Sequence, residues 1–108
     1  MKLTLEQQVQ SLLMDLEGHL RSIQCWDVEP PADEALASEQ PFCIDTLEFY
    51  QWLQWVFIPR LLWMIEQETQ LPDKCGIAPM AEEWGKTKQL PTAGLVAVLE
   101  QIDVLLSA

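Results

Sequence analysis

The stretch EFYQWLQWVFIPRLLWMI, residues 48–65, places Phe49, Tyr50, Trp52, Trp55, Phe57 and Trp63 in one run with Pro59 and Arg60. A membrane span, a buried helix and a binding surface all use such composition, and the choice among them decides the fold. Spanning a bilayer would put Glu48, Gln51, Gln54 and Arg60 in or beside lipid, at roughly 3 kcal/mol for a charge near the centre. The acidic flanks offer no Lys or Arg cluster to orient an insertion, so the stretch reads as a core helix. Asp45 is placed to cap it, Glu48 follows three residues on, and Ile44 is spaced to staple onto Phe49. The spacing predicts helix from about Thr46 to Glu68, central to the fold and interrupted at Pro59.

Pro59 has no N–H to give the carbonyl of Trp55, and its ring crowds that carbonyl, so a kink is expected between them. At 100° per residue Arg60 falls about 180° from Gln51, the middle of the polar wedge. It therefore points into the apolar side unless the kink re-phases it. Val56, Phe57, Trp63 and Met64, its neighbours three and four residues away, cannot neutralise it. A guanidinium kept there needs an acceptor from another segment, a stacking partner such as Trp63, or a ligand or partner carboxylate. Trp52 and Trp55, three apart, share a face that serves either the core or an interface.

Working outward, Leu5, Val9, Leu12, Leu16, Leu20 and Ile23 form one helical stripe, with Thr4 and Gln7 as a capping box, and predict a helix over about residues 5–25. Residues 27–41 hold five acids, three prolines and no base. They read as an acidic linker with at most one helical turn near Ala32 to Leu36. After a turn at QLPDKCG, Pro79 opens a short helix carrying Met80 and Trp84 and ending near Gly85. A last helix from Pro91 carries Leu95, Val98, Leu99, Ile102, Leu105 and Leu106 on one stripe. No segment alternates with period two. The expectation is all-α: one domain over residues 1–108, a compact antiparallel bundle of about four helices.

Composition narrows the function. Seventeen acids against six Lys plus Arg give a net charge of −11, which opposes nucleic acid and anionic membranes and attracts basic proteins. Glu6, Gln7, Gln8 and Gln10 interrupt any signal-peptide core, so a cytoplasmic protein is expected. Cys25, Cys43 and Cys75 are odd in number and widely spaced, so reduced thiols are expected and no zinc motif is formed. The single histidine, His19, borders the core stripe of the first helix and reads as structural, not as a general base. Glu66 with Glu68 and Glu82 with Glu83 diverge on a helix and read as solvated charge. No phosphate-binding glycine loop or internal repeat is present.

The segments QPFCIDT, WLQWVFIPRL and IAPM, together with an amphipathic terminal helix, resemble the bacterial YqcC-like family, a small domain of unknown function. The resemblance covers nearly the whole chain and centres on Pro41, Phe42, Asp45, Thr46, Trp52 to Trp55, Ile58, Pro59 and Arg60, with Ala78 and Pro79. It implies a compact helical bundle and assigns no catalytic residue. Family members sit in some bacteria beside a gene for a tRNA pseudouridine synthase, which implies an accessory role, and they vary in length at the acidic linker.

Together these observations predict a non-enzymatic interaction or accessory module without cofactor or metal, engaging a protein partner or a second copy of itself. The candidate binding patch is Asp45, Trp52, Gln54, Trp55, Pro59 and Arg60. The competing expectation is a small-molecule binder or enzyme with a pocket near Trp52, Trp55 and Arg60, or an accessory factor to a tRNA pseudouridine synthase.

Overall fold

The Thr4 hydroxyl accepts from the backbone of Gln7, whose side chain returns to the Thr4 N–H, and this reciprocal cap starts helix α1, Leu5–Ser22. In the computed structural model, which describes residues 4–71 and 76–107, all regular structure is helical. A one-turn helix α2, Asp33–Leu36, and a 3-10 turn, Pro41–Cys43, lie in the segment after α1. The central element starts as α3, Phe49–Trp52, passes through a π turn, Leu53–Phe57, and continues as α4, Ile58–Glu66. Helices α5, Ala78–Lys88, and α6, Ala93–Ser107, complete the chain. No described helix is long and apolar enough to cross a membrane.

Helix α6 is the spine, packing against both α1 and α5. Its direction against each is fixed by end-to-end contacts. Asp103, late in α6, accepts from the backbone N–H groups of Ile77 (3.2 Å) and Ala78 (2.9 Å) at the start of α5. His19, late in α1, lies against Gly94 at the start of α6, so closely that a Cβ there would overlap the imidazole. Both pairs are therefore antiparallel, and His19 has a packing role. Leu16, Leu20, Leu53, Leu61, Leu99 and Ile102 are almost fully enclosed where α1, the central element and α6 meet. Truncating one such leucine to alanine typically costs about 2–5 kcal/mol.

Several boundaries depart from the sequence reading: α1 ends at Ser22 and not near residue 25, and the central element ends at Glu66 and not Glu68. The central helix starts at Phe49, not Thr46, because Glu48 and not Asp45 is the cap: its carboxylate takes the Gln51 N–H while the Gln51 side chain takes the Glu48 N–H at 2.9 Å. Ile44 makes no staple and is 64% exposed. Helix α5 runs past Gly85, which is buried and lies under Thr92, where a Cβ would overlap the threonine hydroxyl. The helix ends instead at Gln89 in the left-handed region (φ 55°), with the Leu90 N–H returning to the Gly85 carbonyl at 3.0 Å. Finally, α6 begins at Ala93, two residues beyond Pro91. Part of the QLPDKCG turn, and Cys75 within it, lie outside the described residues.

Candidate functional site

The interruption foreseen at Pro59 takes the form of a π turn. The Ile58 N–H reaches back five residues to Leu53, and the backbone stays in the right-handed helical region on both sides. The extra residue in that turn lets Pro59 stand at the start of a new α segment, where its missing N–H has no helical partner to lose. It also re-phases the downstream residues by about 100°. Arg60 is carried out of the apolar side where a straight helix would place it, and it is exposed together with Pro59, Leu62 and Trp63. Trp63 is 56% and Leu62 38% exposed, so apolar surface on α4 faces outward. Trp55, four residues before Pro59, is half-buried, and its indole Nε1 is shielded without a hydrogen-bond partner among the described residues.

At the start of the π turn and just before it, polar side chains are engaged with the segment after α1. Gln54 is 5% exposed and clamps the backbone of Asp27: its amide oxygen accepts from the Asp27 N–H at 2.8 Å and its amide nitrogen donates to the Asp27 carbonyl at 2.7 Å. The Asp27 carboxylate in turn accepts from the Tyr50 hydroxyl and from the Gln51 amide, both at 3.1 Å. The acidic segment after α1 is thereby fastened to the central element. Burial, then the hydrogen bond to Asp27 and repulsion from its charge, push the Tyr50 hydroxyl up to about 12. Burial, reinforced by the charges of Asp27 and Glu48, also raises the Cys25 thiol and disfavours the nucleophilic thiolate.

Trp52 belongs to a different environment again. Its ring meets Phe42 edge-on at 4.8 Å and stacks near Phe57 at 5.4 Å and Phe49 at 6.3 Å, an aromatic cluster against the core. Asp45 is exposed and accepts from the Ser38 hydroxyl, while neighbouring Thr46 donates to the Ala35 carbonyl at 2.7 Å, so both hold the acidic segment in place. The six patch residues are thus distributed over four settings. Pro59 and Arg60 are exposed on the outer side of the central element; Trp55 is half-buried with its indole nitrogen shielded; Trp52 and Gln54 are turned to the interior; Asp45 stands in the loop before α3.

The cations sharpen the contrast. Arg21 pairs with Glu17 at 2.8 Å and lies 4.9 Å over the Trp26 ring, Lys86 pairs with Glu82 at 3.4 Å, and Lys88 with Glu48 at 3.4 Å. Among the described residues Arg60 has no hydrogen bond or ion pair. Cys25 and Cys43 are free thiols, and no group of three His, Cys, Asp or Glu side chains among the described residues is arranged to hold a metal.

Sequence reasoning missed Trp63 and Leu62 as surface residues because it could not see the added residue that turns them outward. Pro59 was the available signal. It also missed Asp27 and Asp103 as organising acids. Asp103 carried a visible hint, an acid bordering the apolar stripe of α6.

The geometry agrees with known proteins. A family profile described as "tRNA pseudouridine synthase C" matches residues 8–105. An uncharacterized protein YqcC of Escherichia coli K12 is 36% identical over 103 residues, 95% of this chain and 94% of that one. An uncharacterized protein of Haemophilus influenzae is 43% identical over 76 residues, 70% of this chain and 72% of its own. A protein of Pectobacterium carotovorum named tRNA pseudouridine synthase C is 45% identical over 67 residues, 62% of this chain but only 18% of that longer one. The solution NMR structure of E. coli YqcC superposes with a TM-score of 0.82, covering 97% of this chain and 90% of that one at 36% identity. With this coverage in both sequence and fold, the chain belongs to the YqcC-like family.

Proposed function

We propose that the chain is a non-enzymatic, cytoplasmic protein-interaction module whose contact surface is the outer face of α4. The observation that carries this reading is Arg60. On a chain of net charge −11 it is the one described cation without a carboxylate partner, and it stands beside exposed Pro59, Leu62 and Trp63. Trp and Arg are the residues that most often dominate interface energetics, when a partner dries the indole and supplies an acceptor for the guanidinium. The acceptor is a carboxylate, from another protein or from a second copy of this acid-rich chain. A small-molecule pocket joining Trp52 to Arg60 draws no support from the geometry, since one ring faces the aromatic cluster and the guanidinium faces outward.

A photo-crosslinking residue at position 63 tests the reading, with one at Val28, 95% exposed in the acidic segment, as control. The expected result is a discrete crosslinked species in cells from position 63, absent from position 28 and abolished by Arg60→Glu. A monomer that yields no crosslink from position 63 would overturn it.

A second reading, accessory factor to a tRNA pseudouridine synthase, is favoured by one observation. The Pectobacterium protein of that name contains within 18% of its length a segment like most of this chain. The acidity of this chain points to contact with a protein and not with the tRNA. Deleting the gene and measuring tRNA pseudouridine tests it: reduced modification supports the role, and unchanged content ends it.

A further inference from the structure

A second surface differs from the α4 face in both shape and charge. Between the 3-10 turn and α5 lies a groove of about 280 Å³ lined by Phe42, Leu47, Phe49, Met80 and Trp84, with the Phe49 and Trp84 rings in contact at 5.9 Å. Its rim carries two carboxylates, Glu48 and Glu83, and Ile44 stands exposed at its edge. The wall is built at a cost in backbone strain: Phe42 and Cys43 are consecutive non-glycine residues with positive φ, 58° and 49°, a conformation that bulky side chains rarely adopt. Strain of this kind is kept where surrounding structure holds it for a purpose. Here it directs the Phe42 ring onto Trp52 and shapes one side of the groove.

The rim already shows what chemistry it accepts. Glu48 receives the Lys88 ammonium and the Trp84 indole N–H, each at 3.4 Å. Glu83, one residue before Trp84, is exposed and makes no ion pair among the described residues. The volume falls just below that of typical small-ligand sites, about 300–1,000 Å³, and suits a single large apolar side chain. An acid-rimmed apolar slot on a chain of net charge −11 attracts a cationic partner at long range and repels an acidic one.

We infer that this groove docks a basic segment of a partner protein, seating one of its large apolar side chains between Phe42, Met80 and Trp84 while an adjacent Lys or Arg meets Glu83. This surface is separate from the α4 face, where the partner group is a carboxylate, and neither depends on the other.

The test is an NMR titration of the full chain with three synthetic peptides: one alternating Lys with Leu and Trp, one with Glu replacing every Lys, and one of Lys and Gly alone. The expected result is that the first peptide shifts resonances of Phe42, Leu47, Met80 and Trp84. Glu83→Lys, an exposed substitution, then weakens its binding about tenfold, while Arg60→Leu leaves it unchanged. Equal binding of the acidic or the Lys-Gly peptide would overturn the inference, as would indifference to Glu83→Lys or shifts centred on Trp63. The last outcome would leave the α4 reading standing and remove this one.

Discussion

The two halves of the central element are both rich in large apolar side chains, and the π turn sends them to opposite fates. Before the turn and at its start, Tyr50, Gln51 and Gln54 each hydrogen-bond to Asp27, a residue from the segment after α1, while Phe49 and Trp52 close an aromatic cluster. After it, Leu62 and Trp63 are exposed and Arg60 has no described partner. The difference teaches that one added helical residue is enough to separate a structural half from a presenting half. Pro59 stands at the seam, tolerated because the new α segment starts there.

The largest effect expected on this contrast comes from Gln54→Leu, similar in volume but unable to clamp. It leaves the Asp27 N–H and carbonyl without their partners, at about 2–4 kcal/mol for two partly buried groups. Urea unfolding monitored by Trp fluorescence reads it, and a loss under 1 kcal/mol would mean that the clamp is incidental.

Asp103→Ala comes next. It tests whether tying backbone groups from a distant helix is a general device of the fold, since Asp103 serves the start of α5 as Gln54 serves Asp27. A cap removed in this way costs about 1–2 kcal/mol, and amide exchange at Ile77 and Ala78 should rise with it.

The Tyr50 hydroxyl gives a smaller, pH-dependent signature. Its folded value, pushed up to about 12, lies above the ordinary value of 10.0 for an unfolded chain. The folded state therefore binds the proton more tightly, its contribution is complete below pH 10, and it is lost as pH rises toward 12. Unfolding midpoints measured from pH 9 to 12 should fall more steeply for the native chain than for Tyr50→Phe; identical slopes would separate Tyr50 from the Asp27 hub.

Much of this organisation was legible in the sequence wherever the signal was local. The Thr4–Gln7 cap, the stripe of α6 and the helical turn inside the acidic segment all arise from residues within a few positions of one another. Helix ends were harder. Gln24, Glu68 and Gln89 take left-handed φ values of 61°, 56° and 55°, and the N–H one residue beyond each returns to a carbonyl five back, from Cys25 to Leu20, Thr69 to Met64 and Leu90 to Gly85. Glycine is the usual cue at such positions, and none of the three carries it. The site was only half legible for a related reason. Periodicity assigned Arg60 to the apolar side correctly for a straight helix, and an i+5 hydrogen bond, which leaves no mark in composition, turned it out. Asp27 and Gln54 lie 27 residues apart, and nothing local announces their pairing.

Arg60→Leu tests the central claim most directly, measured for stability and for crosslinking from position 63 in the same preparation. An exposed arginine without an internal acceptor should change unfolding free energy by no more than about 0.5 kcal/mol while the crosslinked species is lost. A loss of about 3 kcal/mol or more, the cost of breaking a buried pair, with crosslinking unchanged would show that Arg60 holds the fold together and that the half after the π turn presents nothing.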